Sequence, residues 1–233
     1  MEFRTKISTT KDGKHEIYGY DVLELMKEHS FIDVVFLLWR GSLPEAREAE
    51  LMNMILVAAA ENGIEAPSAF VPRVSASVGN PMHVALASSA LAIGEKHGGA
   101  AEACALLLQS GKSAEEIIKE NKVIPGFGHK IYKEEDPRAT LIHKKAKDLG
   151  FPCTFFDLAY EIERKISEAK GKKIPLNIDG AMAAAMLELK LDLRLGKALF
   201  LIPRLVGAAS HILEEMEQAN SYHRLGPEDV QES

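Results

Sequence analysis

Signals that begin and end helices recur along almost the whole chain, and they constrain the fold more than any other feature of the sequence. The apolar run FIDVVFLLWRG (31–41) ends at Gly41, a residue suited to a helix C-cap. Two Ser-x-x-Glu capping boxes and one Asp-Pro start predict further helix N-termini: Ser42/Glu45 with Pro44, Ser113/Glu116, and Asp136-Pro137. A chain with this pattern is predicted to be mainly helical.

Apolar periodicity fills in the remaining elements. Helical patterns cover 46–60, a buried segment within 68–96, and the runs 158–169, 180–191 and 197–219, the last with Pro203 as a kink or start. Short β-prone pieces flank Asp12-Gly13, a hairpin-type turn. The predicted fold class is therefore all-α with a small β-ribbon at the N-terminus.

Composition excludes several function classes. The net charge of -6 offers no global attraction to nucleic acid or to an anionic membrane. The two cysteines, Cys104 and Cys153, form no metal-type cluster, and they are expected to be reduced thiols. The polar N-terminus lacks a signal core, and no apolar run is judged long enough to span a membrane. We expect a cytoplasmic protein without a metal site.

Three titratable residues are flanked by glycine: His97 in EKHGGAAEA, His129 in PGFGHKIY and Asp179 in LNIDGAMAA. Glycine lets the backbone approach a ligand closely or turn sharply into a helix. A helix N-terminus after His97 would keep that imidazole neutral. Taken singly, a His-Gly pair is most often a turn, and Asp179 could simply be the N-cap of 180–191.

Together, two histidines and a carboxylate suit the removal of a proton beside a carbonyl. The carboxylate is the base, one neutral histidine hydrogen-bonds the enolate oxygen, and the other polarises the electrophile. Arg138 opposes the dipole of its own helix start, and Arg204 lies in the apolar stretch LFLIPRLVGAAS. These positions favour a role for both arginines in binding a substrate carboxylate. Two further histidines on apolar helices, His83 and His211, are expected to be satisfied core or surface residues rather than catalysts. The others are expected at the surface: His15, His29, His143 and His223.

These segments together resemble the citrate synthase family, including citryl-CoA lyase and the C-terminal module of ATP-citrate lyase. The most diagnostic match is PGFGHKIYKEEDPRA (125–139). The segments HGGAAEA, LNIDGAMAA and PRLVGAASHILEE also match, as do YGYDV, FLLWRGSLP and VSASVGNP upstream. The resemblance covers nearly the whole chain in order.

The resemblance implies a role for each matching residue. Asp179 would take or return the methyl proton of acetyl-CoA, and His97 would stabilise the thioester enol. His129 would hydrogen-bond the ketone oxygen of oxaloacetate or the corresponding hydroxyl. Arg138, Arg204 and, from the neighbouring subunit, Arg224 would bind carboxylates. The coenzyme A contacts would come from Val123, Pro125, Gly126, Gly128, Lys130 and Lys133.

Two departures from the family pattern bear on function. Asn62 stands where the family usually has a histidine that helps to hold the oxaloacetate or citrate end, and much of the N-terminal region of typical citrate synthases is absent. Asn donates a hydrogen bond but carries no charge. The implied fold has two helical domains with the active site in the cleft between them: a large domain (1–107 and 200–233) and a small domain (108–199).

The predicted function is an enzyme that makes or breaks the carbon–carbon bond between acetyl-CoA and oxaloacetate through citryl-CoA, with a preference for citryl-CoA lyase. Citrate synthase, a non-catalytic CoA- or citrate-binding homologue and a plain helical interaction protein are the alternatives. No permanently bound cofactor is expected, since the CoA thioester is a substrate. We expect a homodimer or higher homo-oligomer, using the apolar helices 31–41 and 46–60, with a partner subunit as a possible source of citryl-CoA.

Overall fold

The computed structural model describes residues 2–218 and 221–231, and within them eleven α-helices follow a three-stranded antiparallel sheet. The strands are β1 (Ser8–Lys11), β2 (Lys14–Ile17) and β3 (Tyr20–Asp21), in that order. Lys11 pairs with Lys14, and Asp12 and Gly13 both have positive φ, at 52° and 75°. Two positive φ values define the type I′ hairpin turn. The predicted all-α class with an N-terminal β-ribbon is confirmed.

The helices are α1 (Val22–Glu28), α2 (Phe31–Arg40), α3 (Ala46–Ala60), α4 (Pro67–Ser77), α5 (Met82–Leu91), α6 (Ala100–Leu108), α7 (Ala114–Glu120), α8 (Pro137–Asp148), α9 (Thr154–Lys170), α10 (Ile178–Glu188) and α11 (Gly196–Gln218). Short 3₁₀ turns cover Leu193–Leu195 and Pro227–Asp229. The described chain divides into two compact units, Met1–Ile55 with Ala101–Gly196, and Leu56–Ala100 with Lys197–Ser233. The domain boundaries drawn from the sequence, at 107 and 199, stay a prediction.

Several predicted helix ends are confirmed. Gly41 is the left-handed C-cap of α2, the Ser113/Glu116 capping box opens α7, and Asp136 caps α8 with Pro137 at its first position. The Ser42/Glu45 box is wrong, because α3 begins only at Ala46 and the backbone N–H of Glu45 donates to the Glu48 carboxylate instead. The segment 68–96 forms two helices, α4 and α5, rather than one.

α10 is the central helix of the first unit. It is buried from Gly180 to Glu188 and packs against α8 and α9. A helix that is apolar on all sides is stable only inside a protein. The Ala- and Met-rich composition of this helix lets its neighbours approach closely. In the second unit, α4 packs on α5, and Ala76, Ala85 and Ile212 form a buried cluster.

One helical segment is longer and more apolar than the sequence analysis expected, so the expectation that no apolar run is long enough to span a membrane is wrong. Among the described residues, the helical segment Leu193–Gln218 is long and apolar enough by length and composition alone. About 39% of its most apolar window is buried within the chain. The core helix of a folded domain meets the same criteria, so this segment by itself indicates no membrane insertion.

Candidate active site

The first candidate cluster is built around the start of α10. Asn177 is the N-cap of this helix, and its side-chain Oδ1 accepts hydrogen bonds from the backbone N–H groups of Asp179 (2.9 Å) and Gly180 (3.2 Å). Asp179 is therefore the second residue of the helix. The alternative that Asp179 is the N-cap is wrong, because Asn177 already supplies the capping oxygen. The helix dipole favours a carboxylate at this position.

The two glycines Gly126 and Gly180 bring the loop 123–129 directly onto this helix start. A Cβ atom on Gly180 would lie 2.5 Å from the carbonyl oxygen of Gly126, and one on Gly126 would lie 2.8 Å from the Cα of Gly180. Gly126 also has a φ of +87°, which favours glycine. The loop is held further by Gly128 N–H to Pro175 O (2.7 Å) and Asn177 N–H to Gly126 O (3.0 Å). These glycines are needed for close backbone packing.

His129 has a defined tautomer in this loop. Its Nδ1 accepts from the backbone N–H groups of Ile131 and Tyr132, both at 3.1 Å. An imidazole nitrogen that accepts carries no proton, so the neutral ring is protonated at Nε2. Nε2 lies 3.2 Å from Nη2 of Arg138, within hydrogen-bond distance, and because the guanidinium can only donate, this contact competes with a proton on Nε2. A carboxylate, carbonyl or hydroxyl oxygen of a substrate beside both nitrogens would accept from each and remove this competition.

Arg138 is held by Asp136, which is 1% exposed. Arg138 Nε donates to Oδ1 (3.0 Å) and Nη2 to Oδ2 (2.8 Å), a two-point contact that fixes the guanidinium plane. Burial acts to raise the pKa of Asp136, but the hydrogen bond and charge of Arg138 outweigh it and hold that pKa below its usual value. Asp136 therefore stays ionised as the counter-ion of Arg138.

Asp136 also reaches the start of α10, because its Oδ2 accepts from the backbone N–H of Ile178 at 3.1 Å. Sequence reasoning identified Asp136 only as a helix cap and missed this second role. Asn177 was missed altogether. Its position two residues before a glycine-flanked aspartate is the only local signal that could have marked it.

The second candidate cluster contains His97, Ser68 and Arg204. Arg204 on α11 is 3% exposed, and it donates from Nε to the carbonyl oxygen of Ala59 (2.9 Å) and from Nη1 to the Ser68 hydroxyl (3.5 Å). Its guanidinium carbon lies 4.8 Å from the centre of the Phe200 ring. A hydroxyl, a carbonyl and a ring face all stabilise a buried cation.

His97 accepts at Nε2. The hydroxyl oxygen of Ser68 is 2.9 Å away and its backbone N–H is 3.4 Å away. Because Arg204 donates to the Ser68 oxygen, the Ser68 hydroxyl directs its proton to Nε2, and the neutral ring carries its own proton on Nδ1. Burial, and then the charge of Arg204, lower the pKa of His97. Burial and Arg204 therefore both favour the neutral form of His97.

The glycine after His97 is also required by packing. Gly98 has a φ of +90°, and a Cβ there would lie 2.8 Å from both Ile93 Cγ2 and Phe200 Cδ1. The backbone groups of Gly94 and His97 exchange hydrogen bonds of 2.9 and 3.1 Å. Gly98 therefore lets a tight loop present His97 against Phe200, whose ring meets the imidazole edge-on.

Other predicted binding residues lie at the surface. Asn62 is exposed, and the neighbouring Glu61 pairs with His211 at 3.1 Å. Arg224 is exposed in the segment after α11. Of the predicted coenzyme A contacts, Val123, Lys130 and Lys133 are exposed, Pro125 and Gly128 are half-buried, and Gly126 is buried. Their roles stay predictions.

A cavity of about 380 Å³ lies beside the loop 123–129. Val123, Ile124 and Phe127 line it from the loop, Lys122 and Lys170 contribute amines, and the rest is mostly apolar. A cavity of this volume can hold a flat heterocyclic ring. Within the described residues, no three His, Cys, Asp or Glu side chains are grouped to hold a metal ion.

His143 differs from its expected surface position. Its side chain is only 14% exposed, and its ring stacks on Phe156 and Tyr160 at 5.0 and 4.7 Å. Its Nε2 is buried without a hydrogen-bond partner. Burial, and then the charge of Lys147, lower the pKa of this imidazole. The prediction was wrong because aromatic packing on α9 is invisible in the local sequence of α8.

The helical fold and the residue types in the two clusters are those expected for the citrate synthase family. The model of the citrate synthase C-terminal domain matches residues 44–225. The putative citrate synthase 2 of Mycobacterium tuberculosis is 30% identical over 190 residues, which are 76% of this chain and 50% of that protein. This chain belongs to the citrate synthase family.

Solved structures agree with this assignment. The citryl-CoA lyase from Hydrogenobacter thermophilus is 37% identical, with a TM-score of 0.93, and the match covers 99% of this chain and 94% of that one. The citrate synthase of Thermoplasma acidophilum, solved with carboxymethyl coenzyme A and oxaloacetate, shares the fold at a TM-score of 0.73 and 24% identity. The chain spans about half the length of the Mycobacterium relative and 23% of the bovine ATP-citrate synthase.

Proposed function

We propose that this protein is a citryl-CoA lyase, which cleaves citryl-CoA to acetyl-CoA and oxaloacetate without hydrolysing the thioester. The observation that carries this proposal is the similarity to the Hydrogenobacter citryl-CoA lyase, which extends over nearly the full length of both chains. The curated relatives named citrate synthase match about half of their own length. Citrate synthesis is the second candidate, because 30% identity to such a relative is consistent with either activity.

The proposed roles follow from the tautomers and charges. His129 and Arg138 hold the tertiary hydroxyl oxygen and a carboxylate of citryl-CoA, and they stabilise this oxygen as its proton leaves. The carbon–carbon bond then breaks to give the oxaloacetate ketone and the enolate of acetyl-CoA. The hydroxyl proton passes to the Asp179 carboxylate, His97 donates from Nδ1 to the enolate oxygen, and Asp179 then delivers the proton it received to the methylene carbon. One proton is lost from oxygen and one is gained at carbon, so the cleavage consumes no water.

Both clusters are assigned to this one reaction, with Arg204 and Asn62 as further binding groups for carboxylates. Arg204 also acts through Ser68, since its contact with that hydroxyl fixes the tautomer of His97. The binding of substrates between two domains, and the contribution of Arg224 from a second subunit, stay proposals.

The coenzyme A moiety is proposed to contact the loop that contains Val123 and Gly128, with its adenine ring in the adjacent cavity. Lys122 and Lys170 line that cavity, and they are better placed for a phosphate there than Lys133, whose amine donates to the carbonyl of His129. The ATP citrate lyase from Methanothrix soehngenii, solved with citrate and coenzyme A, shares this fold. The thioester enters as substrate, and we propose no permanently bound cofactor.

We further propose a homodimer or higher homo-oligomer. The helices first considered for the interface bury some of their apolar side chains, including Phe36 and Leu51 at 0% exposure, and leave others exposed, including Phe31 at 73% and Val57 at 68%. The apolar residues Phe70 and Val74 on α4 and Val78 at its C-cap repeat every four positions and are 40–60% exposed. Sedimentation of the protein, and of Val74→Glu, would show whether α4 supports association.

A partner subunit that supplies citryl-CoA is also proposed, since a relative in Sordaria macrospora is named ATP-citrate synthase subunit 1. A cytoplasmic location is proposed because Cys104 and Cys153 are both free thiols. Affinity purification from the native cytosolic fraction tests the two ideas together, and recovery only from a membrane fraction would contradict the location.

The decisive experiment is to incubate the protein with citryl-CoA and, separately, with acetyl-CoA and oxaloacetate. Acetyl-CoA is followed by chromatography and free coenzyme A by a thiol reagent. We expect acetyl-CoA to form from citryl-CoA without thiol release. Thiol release in the second incubation would instead establish a citrate synthase, and silence in both with coenzyme A still bound would indicate a non-catalytic binding protein.

A further inference from the structure

We propose that Asn177 is a positioning residue that holds the catalytic aspartate and the catalytic histidine loop in one fixed geometry. The inference rests on the proposed function for the roles of Asp179 and His129. It concerns a side chain to which the sequence analysis gave no part. The observation is that two different ends of one amide bind the two catalytic segments.

The oxygen end of this amide faces the helix. Asn177 Oδ1 accepts from the N–H groups of Asp179 and Gly180 at 2.9 and 3.2 Å, so it fixes the backbone that carries the carboxylate. The nitrogen end faces the loop. Asn177 Nδ2 donates to the carbonyl oxygen of Gly128 at 2.8 Å, one residue before His129. A carboxylate could cap the helix but has no donor, and a hydroxyl has a single oxygen on a shorter side chain; an amide of this length places a separate acceptor and donor on the two segments.

The surrounding contacts also restrict movement of the loop 123–129 relative to the start of α10. Gly126 and Gly180 are in backbone contact, and Asn177 N–H donates to Gly126 O. His129 in turn depends on the loop geometry, because its Nδ1 accepts from the N–H groups of Ile131 and Tyr132. A shift at Gly128 would therefore change the direction of His129 Nε2 relative to Asp179. Displacement of a reacting group by about 1 Å can lower a rate by about 100-fold.

Replacement by serine separates the two functions of Asn177. Serine is a good N-cap, so Asn177→Ser keeps the helix start, but its hydroxyl is one atom shorter than the amide and no longer reaches the carbonyl of Gly128. Asn177→Ala removes both. We expect the melting temperature to fall by about 2–4 °C in Asn177→Ala and to recover in Asn177→Ser. We expect kcat for citryl-CoA cleavage to fall by about 10- to 100-fold in both variants, with KM changed less than about threefold.

The matched control is Ser30→Ala, which removes the N-cap of α2. It should lower the melting temperature by a similar amount with an unchanged kcat. If Asn177→Ser recovers both the melting temperature and kcat, Asn177 is only a helix cap and the inference is wrong.

Amide hydrogen exchange tests the same link without catalysis. Peptides covering 123–133 should exchange faster in Asn177→Ser than in the unchanged protein, while peptides from α2 should not differ. Equal exchange in 123–133 would overturn the inference whatever the activity. Failure of the unchanged protein to cleave citryl-CoA would instead overturn the proposed function, and the exchange result would still decide the role of Asn177.

Discussion

Replacement of Gly180 by alanine sets two physical effects against each other. Gly180 lies in the first turn of α10, where alanine is favoured over glycine by about 1 kcal/mol. The added Cβ would, however, lie 2.4 Å from Leu176 Cδ1 and 2.5 Å from the carbonyl oxygen of Gly126, where ordinary contact begins at 3.4 Å. The Leu176 side chain can rotate, but the carbonyl accepts the hydrogen bond of Asn177 N–H and is part of the loop backbone.

The loop must therefore move away from α10 by about 0.9 Å to restore ordinary contact. Overpacking of this kind costs about 1–3 kcal/mol, which exceeds the gain in helix propensity and leaves a net loss of about 1 kcal/mol. The melting temperature should fall by about 2–4 °C. The displacement separates Asp179 from the His129 loop, so kcat for citryl-CoA should fall by about 100-fold.

Thermal denaturation and steady-state cleavage of citryl-CoA measure the two effects. Gly150→Ala is the control, because Gly150 has a φ of +74° and no atom within 4 Å of an added Cβ. That variant should lose about 1 kcal/mol from backbone strain and keep its kcat. A Gly180→Ala protein that melts higher than the unchanged protein and has a normal kcat would refute this reasoning, because it would mean that the loop moves without loss of stability or activity.

Three further predictions concern single side chains. Asp179→Asn should lower kcat by several powers of ten but leave the melting temperature within about 2 °C, because Asn177 provides the cap; a large loss of stability would contradict this. Burial lowers the pKa of His143 in the folded protein below its ordinary value of 6.5. As the pH falls through 6.5, the unfolded chain binds a proton that the folded protein does not, so the free energy of unfolding falls. His143→Phe should therefore melt higher and lose less stability between about pH 7.5 and 5.5, and an unchanged slope would exclude this cause. Burial, and then the charge of Asp179, raise the pKa of Cys104 to about 12, and burial raises the pKa of Cys153. Neither thiol should therefore react with a disulfide reagent before the protein unfolds. Rapid labelling of the native protein would show that the thiols are accessible.

The helices that the sequence predicted best are those with strong local end signals. Gly41, Ser113 and Asp136 mark helix ends through contacts within a few residues, so the sequence alone carries the information. The start of α10 was placed two residues late. Asp179 and Asn177 both have side chains that can cap, and only the observed hydrogen bonds decide between them.

The candidate site shows the same division between local and tertiary information. Its residue types and glycine flanks are readable from PGFGHKIYKEEDPRA, HGGAAEA and LNIDGAMAA. The protonated nitrogen of His129 follows from backbone groups two and three residues away. The tautomer of His97 depends on Ser68 and Arg204, which are 29 and 107 positions away in sequence, so no local pattern could give it.

The sequence by itself determined the helical class, the family and the side chains proposed to react, because helix signals and glycine-flanked motifs are properties of neighbouring residues. Only the tertiary structure decided how those side chains are held: Asp136 on Arg138 and on Ile178, Asn177 between Asp179 and Gly128, and His143 between two rings. Hydrogen bonds and ring contacts of this kind require groups that are far apart in the chain to meet at defined distances. Their energies depend on burial and direction, which a linear pattern of residues does not contain.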